Sequence, residues 1–110
     1  MLYLCESLTG VDGTTTPMLG LLPGRATMQR RFAGLGMQQL DTRAGTMRGH
    51  TFHYSRLDTP LSPAATAGRP DGGAQVEAVY LAGPIVASYM HMYWPSAPLA
   101  AAALFDGALF

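Results

Sequence analysis

The chain has 110 residues, 48% of them hydrophobic and only 13% charged, a balance that excludes a disordered chain and allows one small core-forming domain. Seven arginines, with no lysine, offset seven acidic residues, so the formal net charge is zero and there is no electrostatic footprint for DNA or RNA. A single cysteine, Cys5, excludes an internal disulfide, and no apolar run reaches the roughly 18 residues of a membrane-spanning helix. With no export signal in the opening residues, a reducing cytoplasm is the expected compartment.

Residues 1 to 8 carry apolar side chains at spacings of two to four and run into Thr9-Gly10, which reads as a short helix stopped by glycine. Val11 to Pro17 is turn-rich, and Met18 to Leu22, bounded by Pro23-Gly24, reads as a buried strand or extended segment. Between Arg25 and Arg43 the pattern fits a strand over Met37 to Leu40, with Arg30-Arg31-Phe32 as its lead-in or as a helical turn. Arg48 to Leu57 alternates and contains the good strand formers Thr51, Phe52 and Tyr54. Residues 58 to 74 have three prolines, four alanines and Gly68, Gly72 and Gly73, the composition of a surface connection. Val76 to Leu81 and Ile85 to Met90 read as a hairpin closed by Ala82-Gly83-Pro84. Ser96 to Leu104 reads as a helix capped by Ser96.

Three histidines are the main groups able to move protons near neutral pH. His91 falls at the end of a predicted strand, where a side chain can be presented at the rim of a sheet. His50 and His53 are three apart in one predicted strand, so they face opposite sides and could not share an ion without a bulge. Cys5, His50, His53 and His91 match no compact zinc spacing, and the ordinary reading of His50 and His53 is hydrogen-bonded sheet residues. Cys5 lies in Tyr3-Leu4-Cys5-Glu6-Ser7, which has no glycine to build a nucleophile elbow, so it reads as a small core residue. Neither glycine-rich phosphate-binding pattern occurs, and no nucleotide cofactor is expected on these residues.

Four stretches, in order, resemble the class I glutamine amidotransferase domain of cobyrinate or hydrogenobyrinate a,c-diamide synthases. They are Met1-Leu2-Tyr3-Leu4, Pro17-Met18-Leu19-Gly20-Leu21-Leu22-Pro23-Gly24, Arg48-Gly49-His50-Thr51-Phe52-His53-Tyr54-Ser55 and Ala87-Ser88-Tyr89-Met90-His91-Met92-Tyr93-Trp94-Pro95-Ser96. The resemblance implies that residues 1 to 110 are the C-terminal part of an α/β, flavodoxin-like domain, strand-rich with a terminal helix. It further implies glutamine and a corrinoid as substrates, amidation of the corrin a and c carboxylates in cobalamin biosynthesis, and ATP and Mg held by a separate N-terminal domain. By the family's pattern His91 is the catalytic histidine, and no metal ligand is implied.

The family's nucleophile lies in a Glu-Cys-Gly-Gly stretch just before the residues matching Met1 to Leu4, and no such stretch occurs in this sequence. The expectation is therefore a fragment that is inactive alone, joined to an upstream domain or working beside a separate subunit. Cys5 is placed too late to substitute, since the intervening helix would carry it about 10 Å away. Tyr93 stands where many class I amidotransferases have glutamate, a feature in which the chain resembles the cobyrinate branch, and Ala97 is a smaller departure, where asparagine is expected. The alternative is a noncatalytic docking subunit that keeps the amidotransferase scaffold.

Overall fold

The computed structural model describes residues 1–74 and 76–110. It is a strand-rich α/β fold of three small sheets with one C-terminal helix, as the sequence led us to expect. The first sheet is built from β1 (Ser7–Thr9), β2 (Thr15–Pro17), β3 (Arg25–Met28) and β6 (Ser55–Asp58), in the order β2-β1-β3-β6. Its β1–β3 pairing is parallel, and its other two pairings are antiparallel. The second contains the long hairpin of β4 (Gly34–Thr42) and β5 (Gly45–His53), with β10 (His91–Tyr93) on the free edge of β5. The third is an antiparallel meander of β7 (Ala65–Ala67), β8 (Glu77–Ala82) and β9 (Ile85–Ser88).

The third sheet uses both faces, which ties the fold together. Val79 and Ala67 pack with Leu40, Met47 and Met90 and with the alanine face of α1 (Pro98–Asp106) in one core. Ala87, Tyr80 and Ile85 pack on the other side against Cys5, Leu22 and Ala26. Strict alternation along β4 and β5 buries Leu40, Met47 and Thr51 while leaving Met37, Arg48 and Phe52 exposed, as a half-buried antiparallel pair requires. Gly49 is needed where β10 crosses β5, because a Cβ there would strike the His91 carbonyl and the Met90 side chain.

Several expected elements are corrected. Residues 1 to 8 are not one helix: a single 3-10 turn, Leu2–Leu4, gives way to the strand β1. So short a helix is marginal, and pairing wins instead: Glu6 N–H donates to Gly24 O at 2.8 Å, and its carbonyl accepts from Met18 N–H at 3.0 Å. Met18 to Leu22 is neither a strand nor buried as a run. Its N–H groups at Leu19, Gly20 and Leu22 bond irregularly to Tyr3, Cys5 and Leu4 carbonyls, and only Leu22 is buried while Leu19 and Leu21 are exposed. The turn-rich stretch 11–17 closes into β2, and the connection 58–74 contains β7, whose small alanines let it lie against β8. Arg25 to Arg43 holds two strands, β3 and β4, and the strand expected over Arg48 to Leu57 breaks at Tyr54 between β5 and β6. The hairpin of β8 and β9 turns on Gly83-Pro84 with Gly83 at φ 57°, and β9 ends at Ser88.

The C-terminal helix begins later than expected. Ser96 does not cap it; Ala97 takes that position and Pro98 begins the helix, as suits a residue with a preset φ and no N–H to satisfy. The Ser96 hydroxyl instead donates to Tyr93 O at 2.6 Å and accepts from Arg48 N–H at 2.9 Å, pinning the 3-10 turn Trp94–Ser96 onto β5. Gly107, left-handed at φ 69°, ends the helix.

Candidate active site

The alternation of β5 sends its two histidines to opposite faces. His50 belongs to the open face with Arg48, and His53 to the inner face with Thr51. On the open face β10 lies antiparallel to β5 with His91 opposite His50 and Tyr93 opposite Arg48. Together with Gln39 and Ser96 these side chains line a cavity of about 810 Å³. His91 is exposed on an edge strand, and among the described residues its ring has no hydrogen-bond partner. An imidazole so placed can accept a proton from a group brought up to it, since neither nitrogen is committed elsewhere.

His53 has the opposite surroundings. Its Nε2 lies 2.9 Å from Glu77 Oε1, and the two side chains are only 14% and 8% exposed. Thr51 Oγ1 donates to the same carboxylate oxygen at 2.6 Å. His53 Nδ1 is 2.8 Å from Ser55 O; a carbonyl only accepts, so Nδ1 carries a proton and donates it. The ring also stacks on Tyr89, with centroids 3.9 Å apart, and the Tyr89 oxygen accepts from Ser55 Oγ at 2.8 Å. Burial pushes the Tyr89 phenol above its ordinary pKa, with the Ser55 hydroxyl opposing that shift. Gly34 makes room for the network, because a Cβ there would strike His53 Nε2 and Glu77 Oε1.

The remaining expectations can be placed on this geometry. Cys5 is fully buried, its Sγ lies 3.6 Å from Met1 O, and burial raises the thiol's pKa, the opposite of what an activated nucleophile needs. Among the described residues no group of three His, Cys, Asp or Glu side chains could hold a metal ion. Among the described residues no helix is long and apolar enough to cross a membrane. Sequence reasoning passed over Glu77, Thr51 and Tyr89. The signal for Glu77 was its isolation: it is the sole carboxylate between Asp71 and Asp106, and it sits in register with the inward Val79 of β8.

The sequence that forms this strand-rich scaffold has a match among known domain families. The model of the CobB/CobQ-like glutamine amidotransferase domain matches residues 1–98, and the chain belongs to that family. Among individual proteins, it is 50% identical over 104 residues to the hydrogenobyrinate a,c-diamide synthase of Stutzerimonas stutzeri, covering 94% of this chain and 24% of that protein. It is 47% identical over 106 residues to the cobyrinate a,c-diamide synthase of Herminiimonas arsenicoxydans, covering 96% and 24%. Against the hydrogenobyrinate a,c-diamide synthase of Pseudomonas aeruginosa the identity is 48% over 104 residues, covering 94% and 24%. The chain thus spans about a quarter of the length of these relatives.

Proposed function

We propose that these residues are the glutaminase portion of an ATP-dependent amidoligase that converts the a and c carboxylates of cobyrinate or hydrogenobyrinate to amides. The observation that carries this reading is His91: exposed, on an edge strand, its ring uncommitted, in the stretch that resembles the family's catalytic motif. In this role His91 accepts the proton of a cysteine thiol as the sulfur attacks the glutamine carboxamide carbon. It then returns the proton to the departing nitrogen, which leaves as ammonia. Water, deprotonated by the same imidazole, hydrolyses the thioester and releases glutamate.

Cys5 is not that thiol, because its sulfur is buried and its pKa is raised. The nucleophile belongs to a Cys-Gly-Gly elbow outside these residues, as do the groups that hold ATP and Mg, which supply activation of the acceptor carboxylate when bound. The complete protein works in the cytoplasm, and the 110-residue chain is inactive without its partner segment. The test is ammonia release from glutamine by the chain alone and by the chain extended upstream through a Cys-Gly-Gly elbow. Release by the extended form only is the expected result. Release by the short form at the same rate would make Cys5 or another group the nucleophile and overturn the reading.

A further inference from the structure

The fold has a second cavity, of about 770 Å³, which is the size of an organic-ligand pocket and lies on the His53 side, apart from His91. Its rim carries Arg30 and Arg31, from the connection between β3 and β4, and Arg56 from β6. All three are exposed, and none forms an ion pair among the described residues. The carboxylate that also lines the pocket, Glu77, is already engaged by His53 and Thr51. Asp58, two residues beyond Arg56, pairs in register with Arg25, and among the described residues it forms no ion pair with Arg56.

The arginine-bearing connection is held in place. Gln29 N–H donates to Tyr54 O at 2.5 Å and Ala33 N–H to His53 O at 2.9 Å. Between these anchors Phe32 packs on Tyr54 and Phe52 at centroid distances of 4.4 and 5.1 Å. Three uncompensated guanidiniums on a fixed rim favour an anion, and their planar forks match a carboxylate or a phosphate. The backbone decides between them. Residues 29–33 contain no glycine and none of them has a positive φ, so the connection forms no αR-αL nest of amides of the kind that cradles a phosphate, and the Gln29 and Ala33 N–H groups are spent on the anchors.

We propose that this pocket is a carboxylate-binding site, with Arg30, Arg31 and Arg56 as its cationic rim and the His53–Glu77 pair as its fixed floor. Two sources supply that chemistry: the α-carboxylate of an amino acid, and the side-chain carboxylates of a polycarboxylate acceptor. The second rests on the function proposed above. Calorimetric titration of the 110-residue chain with glutamate, with tricarballylate and with inorganic phosphate distinguishes them without requiring turnover, so the result is independent of whether the glutaminase reading holds.

The expected result is saturable binding of at least one carboxylate probe, at least tenfold tighter than phosphate. Arg31→Glu and Arg56→Glu should each weaken binding at least tenfold, Arg31→Lys should retain part of it, and Leu99→Ala, at an exposed position of α1 outside the pocket, should leave it unchanged. Glutamate as the tighter probe assigns the site to an amino acid, and tricarballylate to an acceptor with several carboxylates. The proposal is overturned if neither carboxylate binds the folded wild-type chain, if phosphate binds as tightly, or if the charge-reversed variants, folded by circular dichroism, bind as the wild type does.

Discussion

The two faces of β5 put the same residue type to different ends. On the inner face His53 has both nitrogens next to acceptors, a ring stacked against it and a carboxylate partner that is itself shared with Thr51. On the open face His50 and the neighbouring His91 stand opposite each other across a strand pair, beside a cavity. A histidine whose hydrogen bonds are saturated within the fold gives rigidity, whereas one that is uncommitted and exposed is available to a substrate. The choice between them follows from a side-chain period of two along a strand, not from any difference in the residue.

The inner face offers the largest expected effect. Glu77→Ala removes the common partner of His53 and Thr51 and leaves two buried polar groups unsatisfied. It should destabilise the fold by about 3 kcal/mol, read as a lower urea midpoint at unchanged m-value. A loss below about 0.5 kcal/mol would mean that the network is ornamental and that the contrast between the faces is false.

A smaller effect of opposite sign is expected on the same inner side. Gln38 is fully buried in β4, and among the described residues neither its Oε1 nor its Nε2 has a hydrogen-bond partner. Gln38→Met keeps the length of the side chain and removes both orphaned atoms, so it should stabilise by about 1 kcal/mol, seen as a higher urea midpoint. Destabilisation would show that the amide is satisfied by a group such as a bound water, and that the inner face is polar by design beyond Glu77.

Much of the open face was legible in the sequence, and little of the inner network was. Opposite faces for His50 and His53 followed from spacing alone, but His91, expected at the end of a strand running from Ile85 to Met90, instead opens the separate edge strand β10 paired with β5. Glu77 was not legible, because its partners Thr51 and His53 lie 26 and 24 residues away in the chain, and only the packing of the third sheet on β5 brings them together. The failure at residues 1 to 8 has a similar cause. Apolar spacings of two to four fit a helix or a strand, and the pairings that decide for β1 come from β2 and β3, with Met18 and Gly24 bonding Glu6 just before it. The arginine count likewise said nothing about ligands. What matters is that Arg30, Arg31 and Arg56 surround one pocket, a fact of tertiary structure.

The measurement that most directly tests the division of labour between the faces is glutaminase turnover, set beside folding stability, for His91→Ala and His53→Ala in the chain extended through a Cys-Gly-Gly elbow. His91→Ala should lower kcat by about a hundredfold or more while shifting stability by less than about 0.5 kcal/mol. His53→Ala should destabilise the fold while retaining turnover in the molecules that remain folded. Loss of turnover in folded His53→Ala together with normal turnover in His91→Ala would reverse the assignment and place the chemistry on the inner face.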